Sequence, residues 1–377
     1  MSEPRVVVVG AGSAGIAAAV ALKDRGLRPV VVDQADEVAA SWRTRYDRLR
    51  LNTCRPFSHL PGRRFPRGTP LFASRDEIVE HLDRHAREDG IDLRLRTRAE
   101  RLDRSNGGWA LDTSEGELRA PQVIIATGYE QDPVIPDWPG RERFGGELLH
   151  SRDYRNPEPF QGKRVLVVGP GCSGMEIAHD LAVGGATQVW LSARTPPNIV
   201  LRQGPGPIPG DIAGMLLYNL PSRFGDAVAR IGGRLAIGDL TEYGLPAPEE
   251  GVMSRVHRTG QAPAIVDKEV VDAIKARLFE IVPGVESLDE TGVQLAGGSR
   301  VEPEVVICAT GYRRLLEPLV GHLGVLDERG IPRTRGEREA KPGLRFIGYV
   351  PRPGGISYAG REATRTARAI ARELGGR

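Results

Sequence analysis

The chain has 377 residues, long enough for two or three folding units, and its hydrophobic fraction of 40% excludes a disordered protein. Lys and Arg total 52 against 49 acidic residues, a net charge of +3 without any run of like charge, which argues against a nucleic-acid binder. Three scattered cysteines, Cys54, Cys172 and Cys308, exclude a disulfide framework, a CxxC redox pair and a zinc knuckle, and fit a reducing, cytoplasmic setting.

The first element is the longest apolar stretch, Val6 to Leu22 (VVVVGAGSAGIAAAVAL). Its flank carries Glu3 as well as Arg5, and glycines interrupt it, so it reads as strand, turn and helix rather than a secretion signal. Gly10, Gly12 and Gly15 form G-x-G-x-x-G at the turn, with Ala14 inside it. The first glycine permits a tight turn and the second lets backbone approach a pyrophosphate. The third lets helix and strand pack closely, and the helix N-terminus offers free N–H groups to phosphate oxygens. Asp33 ends the next strand 18 residues after Gly15, followed by Gln34. A carboxylate there accepts hydrogen bonds from ribose hydroxyls.

Residues 76–86 read as a capped amphipathic helix, and VIIATGYE (123–130) as a buried strand ending in Thr127 and Gly128. A second fingerprint follows: RVLVV, then Gly169, Gly171 and Gly174, with Ser173 beside the last. After its next strand (QVWLSAR) no acid stands; Arg194 takes that place, 20 residues past Gly174. A guanidinium suits a 2′-phosphate that would repel a carboxylate, which predicts NADPH rather than NADH. The Pro- and Gly-rich run TPPNIVLRQGPGPIPG then leads into IAGMLLYNL. That segment reads as a helix packed on its domain, with a lid or a helix lying on a membrane as alternatives. Residues 267–278 read as another capped helix, VVICATGYR (305–313) echoes the earlier ATG strand, and a last helix is expected over about 359–374.

The duplicated openings predict an α/β protein of two Rossmann-like domains, the second inserted into the first. The expected bounds are 1–155 and 300–377 for an FAD domain and 156–299 for an NADPH domain. Two such folds imply a flavin reduced by a nicotinamide. Without a cysteine pair, delivery of electrons to oxygen leads over disulfide reduction.

Phe144-x-Gly146-x-x-x-His150-x-x-x-Tyr154, just before the second fingerprint, resembles the identifying sequence of class B flavin-containing monooxygenases. Over nearly the whole chain the pattern is similar to the plant-type flavin monooxygenases of the YUCCA group. ASWRTRYDRLRLN, the Pro-rich turn before Ile208 and APAIVDKEVVDAIK resemble theirs in order and spacing. The resemblance implies that His150 belongs to the junction of the nucleotide domains, not to bond breaking. Tyr154 stands where Baeyer–Villiger relatives carry Trp. Trp42 resembles a position that packs near the flavin. Asn52 resembles the active-site Asn of heteroatom-oxidising members, a position at which the plant group commonly departs from Asn.

The resulting expectation is an FAD- and NADPH-dependent monooxygenase that inserts one atom of O2 into a small organic substrate through a flavin C4a-hydroperoxide. Asn52 is the residue expected at the reacting centre, and no metal is required. N- or S-oxygenation is the leading expectation, favoured by Asn52. The alternative is oxidative attack on a carbonyl or 2-oxo acid, of decarboxylating or Baeyer–Villiger type, favoured by the plant-like pattern. A non-catalytic NADPH-binding sensor is the rival from another class. No membrane anchor and no nucleic-acid partner are expected, and the oligomeric state is not legible.

Overall fold

The computed structural model describes residues 4–204, 206, 208–260, 262–349 and 355–375. Val6–Val9 is buried on both faces, as its unbroken valines require, and lies in the middle of a five-stranded parallel sheet. The strand order is Leu344–Phe346, Gln122–Ile125, Val6–Val9, Pro29–Val32 and Asp92–Arg94. Helix Ser13–Lys23 follows the first strand and packs against the last helix, Gly355–Glu373. The helix expected over 76–86 runs Arg75–Glu88, because Ser74 and Glu77 close a capping box one residue before it.

A second five-stranded parallel sheet repeats the plan, in the order Glu280–Val282, Gln188–Ser192, Arg164–Val168, Val305–Cys308 and Glu147–His150. Its strand membership corrects the expected bounds. Val305–Cys308 and Glu147–His150 both lie outside 156–299, yet both belong to this sheet. The reason is the duplication itself: each ATG-ending strand pairs beside its own fingerprint strand. Val6 faces Gln122 in the first sheet and Val165 faces Val305 in the second.

Each sheet also carries a three-stranded antiparallel insert just before its ATG strand, over residues 99–120 and 285–301. The chain recrosses to the first unit through Tyr312–Arg313, paired antiparallel with Asp132–Pro133. From there Leu316, Leu319 and Val320 pack into the core under the first sheet.

The 195–265 segment forms a short parallel pair, Ile199–Leu201 with Ala264–Val266, and helices Gly210–Tyr218, Ser222–Ala236 and Val252–Thr259. Among the described residues no helix is long and apolar enough to cross a membrane.

Candidate functional site: two glycine cradles and a buried ion cluster

At the first fingerprint Gly10 has φ +111°, and a Cβ there would meet the Ala126 carbonyl oxygen at 2.6 Å. A Cβ on Gly15 would overlap the carbonyl oxygen of Gly10. Gly12 is different. Apart from its own chain neighbours, no described residue comes within 4 Å of the place its Cβ would occupy. Gly12 is also the N-cap of helix Ser13–Lys23, and no side chain caps that helix. The chain thus leaves open space in front of unpaired N–H groups, the cradle that a pyrophosphate needs.

The second fingerprint reproduces this closely. Gly169 has φ +110°, a Cβ there would meet the Ala309 carbonyl oxygen at 2.5 Å, and a Cβ on Gly174 would overlap the Gly169 carbonyl oxygen. Gly171 is open, at the uncapped start of helix Cys172–Val183. Ser173 stands in the first turn of that helix. Both cradles fit a dinucleotide.

Around the first cradle, Asp33 accepts hydrogen bonds from the N–H groups of Ala11 (2.6 Å) and Ala35 (2.8 Å). These bonds leave acceptor capacity on the carboxylate for a ribose. Gln34 is exposed and donates to Gln131 at 3.3 Å. The Trp42 indole donates to Ser13 Oγ at 2.8 Å, which fixes the ring at the mouth of the cradle. Ala14 must be small: a Cβ on Gly348, where the returning chain passes, would lie 2.8 Å from its own Cβ. Thr127 shares a 2.7 Å hydrogen bond with the buried hydroxyl of Tyr349, and Gly128 follows at φ +75°.

Near the second cradle Arg194 is exposed and, among the described residues, has neither an ion pair nor a hydrogen bond to satisfy it. Its stem packs against Gly284, whose Cβ would meet it at 3.0 Å.

His150 sits at the seam between the units. Nε2 donates to the Gly311 carbonyl at 3.1 Å, while Nδ1 accepts from the Arg152 N–H at 3.1 Å. Burial lowers its pKa, so the ring is neutral. Tyr154 is fully buried and donates to Asp180 at 2.7 Å. Both are structural links.

Asn52 lies at the centre of a cluster that the sequence did not reveal. Its Oδ1 accepts from Arg202 Nη2 at 3.3 Å and Nε at 3.4 Å, and its Nδ2 donates to Cys172 Sγ at 3.7 Å. Arg202, only 2% exposed, is in turn held by Glu176 and by Asp267. Tyr46 closes the chain by donating to Glu176 at 2.6 Å. Burial pushes the Glu176 carboxyl up, against the lowering pull of Arg202. Burial also lowers the Arg202 guanidinium, but Glu176 and Asp267 more than offset this and leave it above its ordinary value. Asp267 is the N-cap of helix Lys268–Lys275 without capping it, because its carboxylate is turned to Arg202. One sequence signal existed. Glu176 stands in an apolar run with Met175, Ile177 and Ala178, all buried on a helix covered on most sides, and a buried carboxylate demands a partner.

The three thiols are free. Burial raises all of them, Cys54 and Cys308 to about 12, with Asp211 adding to the effect at Cys54. They stay protonated, unlike a redox pair. No group of His, Cys, Asp or Glu among the described residues could hold a metal.

Duplicate cradles on paired parallel sheets define the class of protein that binds two dinucleotides. A family model described as pyridine nucleotide-disulphide oxidoreductase matches residues 7–198. The chain is 33% identical over 356 residues to the indole-3-pyruvate monooxygenase YUCCA1 of Oryza sativa subsp. japonica, covering 93% of this chain and 87% of that protein. With YUCCA8 of Oryza sativa subsp. indica the identity is 34% over 383 residues, covering 97% and 90%. The chain therefore belongs to the flavin monooxygenase family of the YUCCA enzymes, NADPH-dependent monooxygenases that carry FAD. In fold it matches the flavin-containing monooxygenase of Stenotrophomonas maltophilia at a TM-score of 0.74 and 23% identity, covering 99% and 100% of the two chains. A steroid monooxygenase bound to NADP matches at 0.76 and 20%, covering 99% and 86%.

Proposed function

We propose that this monooxygenase acts in the cytoplasm on an aryl 2-oxo acid of the indole-3-pyruvate type, with FAD on the first cradle and NADPH on the second. The observation that carries the substrate class is the near full-length likeness to indole-3-pyruvate monooxygenases. The balanced reaction takes the 2-oxo acid, O2, NADPH and a proton to the acid one carbon shorter, CO2, NADP+ and water.

In this reading Gly10, Gly12, Ala14, Gly15, Asp33, Gln34, Trp42, Thr127 and Gly128 hold FAD. Gly169, Gly171, Ser173 and Gly174 hold NADPH, and Arg194 meets the 2′-phosphate. The chemistry supplied by the bound pair is hydride transfer from nicotinamide to flavin and activation of O2 at the reduced ring.

The residues do the rest. The glycines admit the two pyrophosphates, Trp42 covers the mouth of its cradle, and neutral His150 ties the two units together. Asn52 is given a fixed polarity. With both lone pairs of its oxygen taken up by Arg202, only an amide N–H remains to offer to the reaction. A donor without charge can steady an anionic oxygen and cannot protonate it.

Asn52 itself supports a second reading, N- or S-oxygenation of a soft atom. A substrate panel separates the two. NADPH oxidation, CO2 and H2O2 are followed with indole-3-pyruvate, phenylpyruvate, amines and thioethers. CO2 stoichiometric with NADPH for the 2-oxo acids supports the first reading. Coupled turnover with amines or thioethers alone overturns it in favour of the second.

A further inference from the structure

Helix Ser222–Ala236 has a face that nothing among the described residues covers. Phe224, Val228, Ile231 and Leu235 are between 52% and 83% exposed. At 3.6 residues per turn they fall within an arc of about 60°. Their outward direction is set by the packing of the other side. A Cβ on buried Gly225 would lie 2.9 Å from the Met253 side chain, and Asp226 accepts from the Met253 and Ser254 N–H groups at 2.7 and 3.3 Å. The helix cannot turn its apolar row inward without breaking that anchor. Leu216 and Leu220, on the preceding helix and turn, are exposed as well.

Beside the row runs a second one. Arg223, Arg230 and Arg234 are exposed and fall within an arc of about 40° along one flank. None of the three forms an ion pair among the described residues. Asp226, the one acid of this helix, is committed to Met253 and Ser254. Asp239, beyond the helix end, feels the charge of Arg234 without forming an ion pair with it.

An exposed apolar stripe flanked by unneutralised arginines is the pattern of a helix that lies in the surface of an anionic bilayer. A second copy of the same helix would bring three more arginines, while its one acid, Asp226, is already committed to Met253 and Ser254. We propose that helix Ser222–Ala236 docks the enzyme on anionic lipid, with the apolar row in the acyl boundary and the arginines at the headgroups.

The test uses the full chain loaded with FAD at low salt. Its sedimentation with vesicles of equal parts phosphatidylglycerol and phosphatidylcholine is compared with that on phosphatidylcholine alone. The wild type should bind the anionic vesicles at least about tenfold more tightly. The triple variant Arg223→Gln, Arg230→Gln, Arg234→Gln should weaken that binding by about 100-fold, at roughly 1 kcal/mol per arginine. The pair Ile231→Glu, Leu235→Glu should abolish it. Both variants replace exposed side chains, so melting temperature and NADPH oxidation without lipid should match the parent. Failure of the wild type to sediment with either vesicle, or variants that bind like it, would overturn the proposal. A dimer that Ile231→Glu, Leu235→Glu converts to monomer, without vesicle binding by the wild type, would overturn it too and assign the face to a second copy.

Discussion

Arg202 donates two hydrogen bonds to the carboxamide oxygen of Asn52, at 3.3 and 3.4 Å, from a position where Glu176 and Asp267 fix the guanidinium. The two residues are 150 apart in sequence. Arg202 follows a short strand of the inserted segment, Asn52 lies beyond the first fingerprint, and Glu176 rides on the helix of the second. With its oxygen occupied by Arg202, Asn52 has only amide N–H groups left to offer. The geometry also means that closing the cluster sets the two nucleotide units against each other. Removing one partner of such a buried pair typically costs about 3–5 kcal/mol, because the other charge is left without compensation.

The donor assignment has a direct consequence. Asn52→Ala and Asn52→Asp should fail in the same way, since neither side chain presents an N–H. The carboxylate of the second variant can still pair with Arg202, which keeps the cluster closed. Anaerobic flavin reduction by NADPH should stay within a few-fold of the parent. Product formed per NADPH should fall by roughly 10–100-fold, about 1.4–2.7 kcal/mol for one preorganised hydrogen bond, with H2O2 rising to match. An Asn52→Asp enzyme as well coupled as the parent would contradict the donor role.

Gly12 and Gly15 should behave differently although they share one motif. Among the described residues nothing beyond the chain neighbours stands near the Cβ position of Gly12, so Gly12→Val should fold with an unchanged melting temperature and lose its yellow colour. Gly15→Ala drives a methyl into the Gly10 carbonyl and should lower the melting temperature whether or not FAD is added. Absorbance of the purified proteins and thermal melts of both provide the comparison.

Among the described residues Arg194 has no partner to lose. Arg194→Ala should therefore leave stability untouched and weaken NADPH about tenfold to hundredfold, the effect of one charge-assisted hydrogen bond. NADH kinetics should barely move. Equal losses with both nucleotides would remove Arg194 from the 2′-phosphate site.

His81 supplies a pH dependence. It is buried, its ring is stacked on Phe65 at 4.1 Å, and it accepts weakly from the Leu60 N–H. Burial lowers its pKa to about 3, with His85, Arg84 and His59 adding in the same direction. Below its unfolded value the unfolded chain binds a proton that the folded chain refuses. Stability is therefore present above about pH 6.5 and is lost as the pH falls toward 3. Between those limits His81→Gln should flatten the slope by about 1.4 kcal/mol per pH unit, one proton's worth. Denaturant melts at a series of pH values measure it, and an unchanged slope would mean that His81 charges in the folded protein.

Much of this was legible in the sequence because the constraint is local. The glycines at 10, 12, 15, 169, 171 and 174 answer to steric rules that act within one turn, and the valine runs before them answer to burial on two faces. The placement of Val305–Cys308 was not local. Its apolar run suits either sheet, and only pairing with Arg164–Val168 decides between them. Arg202 was hidden for a different reason. The chain has 47 arginines, and nothing adjacent to this one says that it is buried. Helix Ser222–Ala236 shows its periodicity in sequence, but which face is anchored depends on Gly225 meeting Met253.

Oxygen insertion into a 2-oxo acid is the central claim, and isotope labelling reaches it most directly. The FAD-loaded enzyme is given NADPH and indole-3-pyruvate under 18O2, and the acid product is weighed by mass spectrometry. One labelled oxygen per product molecule, with one CO2 released and one NADPH consumed, is the result expected. NADPH consumption that ends entirely as labelled H2O2, with the 2-oxo acid recovered intact, would contradict it.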